Sequence, residues 1–217
     1  MAGILEVVVS ESQIQLEQAL ADSPCESGCT PAGLAGHDVQ FYRTDAYLTS
    51  AVVDFLGEGI RAGQPVIVIA TEAHRRAFGE RLRARGLDPD ELFSGRLAVW
   101  LDARETLSAF MEGAVPNREL FFATVGSVFE RLLAKRYYLV VRAYGEMVDL
   151  LFKDGNPDAA VQVEQMWNEL ANQYKYSLLC GYSLENFLHE AGVAGFRQVC
   201  DHHSRALPFE SVDRNVA

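Results

Sequence analysis

The stretch Pro65–Ala70 reads PVIVIA, an unbroken apolar run between Gly63 and Thr71. A strand with one wet face alternates apolar and polar residues, whereas a continuous β-branched run marks a strand covered on both faces. Thr71 ends the run as a helix cap, and the helix it starts closes near Gly86. The same unit recurs on either side. Upstream, Val39–Tyr42 is a short strand and Thr44 caps the next helix. Tyr47, Leu48, Ala51, Val52, Phe55, Leu56 and Ile60 fall on one face of that helix before Gly59 and Gly63 end it. Downstream, Leu97–Leu101 is a third strand, with Asp102 and Glu105 spaced as a capping box. A longer helix follows Pro116–Asn117, with Phe121, Phe122, Val125, Val128, Phe129 and Leu132 on one face. Tyr138–Tyr144 is a fourth strand. Asn156–Pro157 opens a helix with the stripe Val163, Met166, Trp167, Leu170 and Tyr174, and Tyr176–Tyr182 is a fifth strand. Short helices are expected at Leu184–His189 and Ala194–His202.

Strand–helix alternation with covered strands predicts an α/β fold, a mainly parallel sheet of about five strands with helices on both faces. The first 36 residues stand apart. Ile14–Leu20 is a short helix candidate, and Asp22–Gly36 has the composition of a loop, so 1–36 reads as a partly ordered arm. The domain is expected over 37–209, with a C-terminal tail at 210–217.

Charge excludes some partners. Thirty acidic residues against nineteen basic ones leave a net charge of -11, which repels nucleic-acid phosphates and anionic lipids. No direct nucleic-acid binding and no membrane association are expected. No apolar run approaches the roughly 20 residues that span a bilayer. Met1–Ser10 has no basic leader, so the chain is expected in the cytoplasm with its four cysteines reduced.

A parallel sheet binds ligands at the carboxyl ends of its strands. That rule selects Tyr42–Arg43, Thr71–Glu72, Asp102–Arg104, Tyr144–Glu146 and Tyr182–Ser183, with Tyr42, Trp100, Tyr144 and Tyr182 as pocket walls. A phosphate-binding loop needs glycines and a lysine after the first strand. The junction here reads Tyr42-Arg43-Thr44-Asp45, which has neither, and Asp45 would repel a phosphate. No G-x-S-x-G elbow and no H-E-x-x-H occur, so no catalytic residue is assigned. Ser183 reads as a helix cap. Glu146, at the end of the fourth strand, either accepts a hydrogen bond from a ligand or pairs with an arginine such as Arg142 or Arg104.

Cys25 and Cys29, with His37, lack the fourth ligand of a zinc site and read as loop cysteines. Cys180 lies in an apolar strand and reads as a small core residue. Cys200 and His203 share a helix face, where histidine also meets the C-terminal dipole. No metal site and no cofactor are assigned. Strand direction sets His37 at the start of the first strand and Cys180 toward the end of the last, on opposite edges of a parallel sheet.

Several segments together are similar to a known family. They are His37-Asp38-Val39-Gln40-Phe41-Tyr42, Phe55-Leu56-Gly57-Glu58-Gly59-Ile60, Arg142-Ala143-Tyr144-Gly145-Glu146-Met147, Glu164 with Trp167-Asn168, Cys180-Gly181-Tyr182, and Cys200-Asp201-His202-His203. In order and spacing they resemble MEDS, a methanogen and methylotroph sensory domain. The family usually has Gly-Glu where this chain has Gly63-Gln64. The resemblance implies a RecA- or KaiC-like fold with a degenerate phosphate loop, and a non-catalytic role in signal transduction. It implies a hydrocarbon-derived ligand, with His37, Cys180 and His203 at its site. With the strand-end residues, the expected ligand-binding set is His37, Tyr42, Arg142, Glu146, Cys180, Tyr182 and His203. Family members occur with histidine kinases or DNA-binding domains. No such output segment is recognisable here, so the signal is expected to pass by contact with a partner such as a histidine kinase or transcription regulator. Homodimerisation fits the same role.

Two other functions compete with this one. One is an interaction adaptor whose ligand site has decayed. The other is an ATPase-like domain with an altered phosphate loop.

Overall fold

In the computed structural model, Val66–Ala70 forms strand β2, buried along its whole length as a strand between two helical layers demands. The other strands are β1 (Gly36–Tyr42), β3 (Ala98–Asp102), β4 (Met111–Glu112), β5 (Val115–Pro116), β6 (Val141–Gly145), β7 (Tyr176–Ser183) and β8 (Arg205–Ala206). The helices are α1 (Asp45–Arg61), α2 (Glu72–Arg83), α3 (Pro89–Ser94), α4 (Ala103–Ser108), α5 (118–133), α6 (Met147–Lys153), α7 (Pro157–Leu170) and α8 (Gly192–Asp201), with a 3₁₀ turn at Leu184–Phe187. The structure describes residues 35–94, 97–134, 139–188 and 192–207, with Gln15, Leu16, Gln18 and Ala19. Cys25, Cys29, Tyr138, His189 and the tail at 210–217 lie outside the described residues. So does most of the arm, although Leu16 and Ala19 are helical and buried in the core.

Six strands pair in one sheet in the order β3-β2-β6-β7-β1-β8, and all its pairings are parallel. β4 and β5 form a separate antiparallel hairpin. The sixth strand, β8, is too short to leave a period in the sequence. It is anchored by Arg205, whose Nε and Nη2 donate to the two oxygens of buried Asp38 at 3.1 and 2.7 Å.

Strand alternation divides the core. Val39, Phe41, Ile67, Ile69, Ala143, Leu178, Cys180 and Tyr182 face one layer, which includes α5 to α8. Tyr42, Val66, Val68, Ala70, Tyr144 and Leu179 face the other, built on α1 and α2. Among the described residues, no helix is long and apolar enough to cross a membrane.

Two local features bear on the site. Helix α5 runs through a π turn at Phe122–Gly126. Phe122, the first residue of that turn, is half-buried against the core, with the Arg118 guanidinium 4.7 Å from its ring centroid. Helix α7 starts as its sequence predicts. Pro157 opens it, and the Asn156 side chain accepts from the Ala159 N–H at 3.3 Å. Its buried face carries Val163, Glu164, Met166, Trp167 and Leu170, so a carboxylate is turned inward with the apolar residues.

Candidate functional site

Glu164 is the centre of the first buried polar cluster. Its Oε1 accepts from the Tyr182 hydroxyl at 2.7 Å. Its Oε2 lies 3.2 Å from His37 Nε2 and 3.5 Å from Cys180 Sγ. His203 Nε2 stands 3.4 Å from Oε1, and the two imidazole rings lie 4.2 Å apart. His37 Nε2 is also 3.4 Å from Cys180 Sγ. The Glu164 and His203 side chains are 1% and 0% exposed.

The five groups come from four elements: His37 from the start of β1, Glu164 from the inward face of α7, Cys180 and Tyr182 from β7, and His203 from the turn after α8. The expected separation of His37 from Cys180 does not hold. The last long strand inserts beside the first, in a register that pairs His37 with Leu178 and Val39 with Cys180. Cys180 thus shares the His37 face, one step along the neighbouring strand.

Burial pushes the Glu164 carboxyl up, but His203 and His37 more than offset it, and the group is held well below the usual carboxylate range. Burial holds His203 below its usual value, outweighing Glu164. Burial and the Glu164 charge push the Cys180 thiol and the Tyr182 phenol well up. The cluster is an ionised carboxylate among a neutral thiol, a neutral phenol and imidazoles.

The second cluster lies at the carboxyl ends of β1, β2, β6 and β7, where the strand-end rule points. Glu146 accepts the Thr71 backbone N–H at 2.5 Å and the Tyr144 hydroxyl at 3.1 Å, and His74 Nδ1 lies 2.5 Å from its Oε2. Asp149 accepts from the Tyr42 hydroxyl at 3.2 Å, the Ser183 N–H at 2.8 Å and the Asn186 side chain at 2.6 Å. Gly181 makes room here, since a Cβ would stand 2.6 Å from the Tyr144 hydroxyl. The partner of Glu146 is thus His74 and not an arginine. Arg142 is four strand residues back, roughly 13 Å away. Its Nε donates to Gln64 at 3.0 Å, its guanidinium covers the Phe55 ring at 4.7 Å, and Arg104 pairs with Asp154.

Burial disfavours charge on His74 and on Glu146. Glu146 nevertheless holds the imidazole above its usual 6.5, and His74 holds the carboxyl below its usual 4.5. The pair's stabilisation is therefore complete between pH 4.5 and 6.5. It fades as pH rises from there through the raised imidazole value, and as pH falls through the depressed carboxyl value. Replacing His74 by Gln should cost about 1.5–3 kcal/mol in that window, the range for hydrogen bonds to charged groups. Urea midpoints measured across pH should show the gap to wild type narrowing on either side. A gap that does not vary with pH would contradict the pairing.

The expected ligand residues therefore divide. His37, Cys180, Tyr182 and His203 converge on Glu164, Tyr42 and Glu146 belong to the second cluster, and Arg142 joins neither. Ser183 caps the 3₁₀ turn, accepting from the Glu185 N–H at 3.3 Å. Cys200 is not in the cluster that holds His203. Sequence reasoning assigned no site role to Glu164, His74, Asn168 or Asp149. For Glu164 the signal was there: a carboxylate within the apolar stripe of an amphipathic helix.

At the β1–α1 junction, Thr44 Oγ1 accepts from the Tyr47 N–H at 3.2 Å, and Asp45 lies 3.4 Å from His74 Nε2. Side chains thus occupy the helix start that a phosphate loop would leave to its ligand.

The structure is similar to that of the KaiC-like protein PH0186 from the hyperthermophilic archaeon Pyrococcus horikoshii OT3, with a TM-score of 0.56 and 11% identity over 89% of this chain and 85% of that one. At that identity the likeness shows the fold alone, a KaiC/RecA-like α/β sheet. No curated protein sequence matches the chain. Residues 36–203 match the family model described as the MEthanogen/methylotroph, DcmR Sensory domain. That match covers most of the chain, which therefore belongs to the MEDS family of sensory domains.

Proposed function

We propose that this chain is a non-catalytic sensory module that binds a small hydrocarbon-derived ligand and passes the signal by contact to a partner protein, such as a histidine kinase or a transcription regulator. One observation carries the reading. A mostly apolar cavity of about 420 Å³ is lined by Phe152, Pro157, Phe187, Gly192, Ala194 and Gly195, among others. Its volume suits a small molecule, for which sites run roughly 300–1,000 Å³. Two of its walls, Phe152 and Phe187, touch the Tyr182 ring at centroid distances of 5.5 and 6.1 Å. The hydroxyl of that ring is bonded to Glu164. An apolar ligand that moves the phenylalanines would shift Tyr182, and with it the buried polar cluster. Two concavities elsewhere are more open: one of about 520 Å³ is lined largely by charged residues, including Arg75 and Arg83, and one of about 620 Å³ has a mixed lining with the Arg104–Asp154 pair at its rim.

The ATPase-like alternative is disfavoured by the capped, acidic β1–α1 junction. The adaptor alternative differs from the sensor only in whether the cavity takes a ligand. Native mass spectrometry of freshly purified protein separates them. A small organic mass that leaves on denaturation is expected, and its mass gives its chemical class. A clean chain mass would favour the adaptor.

A further inference from the structure

We propose that His37, Glu164, Cys180 and His203 form a closed binding site for one divalent transition-metal ion of the zinc class. This goes beyond the sensory reading and does not depend on it, since a chain with no organic ligand could still hold the ion.

The donor atoms are gathered at the right scale. One ligand atom from each residue can be chosen so that all four lie within 4.8 Å of one another. A tetrahedral ion with bonds of about 2.0–2.1 Å to nitrogen and oxygen and 2.3 Å to sulfur sets its ligand atoms roughly 3.3–3.6 Å apart. The spacings here are 3.2 Å from His37 Nε2 to Glu164 Oε2, 3.4 Å from His37 Nε2 to Cys180 Sγ, and 3.5 Å from Cys180 Sγ to Oε2. The fourth donor, His203 Nε2, lies 3.4 Å from the other carboxylate oxygen, Oε1, and within the 4.8 Å span of the set, so it would close in by up to about 1 Å as an ion binds.

The histidines are oriented as metal ligands are. His37 Nδ1 lies 2.9 Å from the Asn168 side-chain oxygen, and His203 Nδ1 lies 2.7 Å from the Val199 carbonyl. Asn168 is itself fixed, its Nδ2 donating to the His202 carbonyl at 3.1 Å. Both Nδ1 partners are acceptors, so each Nδ1 carries a hydrogen and each ring turns its Nε2 inward, the atom that would bond an ion. This outer hydrogen bond is what sets tautomer and ring angle at metal sites. His203 Nε2 is buried with no hydrogen-bond partner among the described residues.

Charge balances as well. As the metal–sulfur bond forms, Cys180 loses its thiol proton to solvent. A dication then neutralises one thiolate and one carboxylate, with two neutral imidazoles, and no net charge is buried. The soft sulfur and the imidazoles favour zinc-class ions over magnesium or calcium. Four protein ligands with side chains no more than 9% exposed describe a closed site rather than a catalytic one.

The test uses the full chain, stripped with chelator and titrated with Co²⁺ as a coloured probe, with Zn²⁺ as competitor. One ion retained per folded chain is expected, with tetrahedral Co²⁺ bands and a thiolate charge-transfer band that Zn²⁺ abolishes. Cys180→Ala, a small change in an apolar strand, should remove the charge-transfer band and weaken uptake about tenfold or more. Circular dichroism would confirm that this variant is folded. Cys200→Ala and the Cys25→Ser/Cys29→Ser double variant should keep both band and uptake. The proposal is overturned if folded wild type retains no ion, or if Cys180→Ala keeps the band. Loss of the band in the double variant would also overturn it, by placing the ion on the arm.

Discussion

Replacing Glu164 by Ala is expected to lower folding stability by about 3–5 kcal/mol, read in urea on chelator-stripped protein. The carboxylate is fully buried and accepts the Tyr182 hydroxyl, with both imidazoles and the Cys180 thiol turned toward it. Alanine would leave a phenol, a thiol and two imidazoles facing a void. An orphaned buried polar group costs about 1–3 kcal/mol by itself. Glu164→Gln tests whether charge or shape dominates. It keeps an acceptor for Tyr182 but can set an amide against the His37 and Cys180 side of the cluster. An intermediate loss of about 1–3 kcal/mol is expected. A loss below about 1 kcal/mol for Glu164→Ala would mean that water replaces the carboxylate and that the cluster is not dry.

The second large effect lies one turn further along α7. Trp167→Ala should cost about 3–5 kcal/mol, the range for removing a large aromatic side chain from a core. Trp167 is 1% exposed and meets Phe121, Tyr176 and Phe129 at ring-centroid distances of 5.5, 6.0 and 6.4 Å. Its backbone carbonyl also takes the Tyr176 hydroxyl. Because Trp167 sits between Glu164 and Asn168 in the sequence, the cavity would loosen the segment that presents both. Val115→Ala is the control: Val115 is 57% exposed on the hairpin and should change stability by less than about 0.5 kcal/mol. Equal losses at the two positions would show that Trp167 is not part of a packed core.

The layered α/β fold was legible because β-branched runs and amphipathic stripes have different periods. Pro65–Ala70 and the stripe from Val163 to Tyr174 could each be read in isolation, although the helix itself ends at Leu170 and Tyr174 lies beyond it, half-buried. β8 was not legible, since two residues carry no period and it is held by the Arg205–Asp38 pair, 167 residues apart in the chain. The site was legible residue by residue but not as an arrangement. His37, Cys180, Tyr182 and His203 were selected from resemblance and strand ends, but strand order decides which of them touch, and order is not encoded locally. Placing β7 beside β1 brings His37 to Cys180. The partner of Glu146 was misread for a related reason. Arg142 is near in sequence but at the far end of the strand, whereas His74 is distant in sequence and arrives on the first turn of α2.

The most direct test of the sensory account is an NMR titration of the full chain with dichloromethane, a small apolar probe, alongside a cavity-filling variant such as Ala194→Leu. Saturable shifts are expected at the ring signals of Phe152 and Phe187, and also at Tyr182 and His37, with all of them absent in the filled variant. Shifts confined to surface residues, or unchanged by filling the cavity, would contradict a ligand site coupled to the buried cluster.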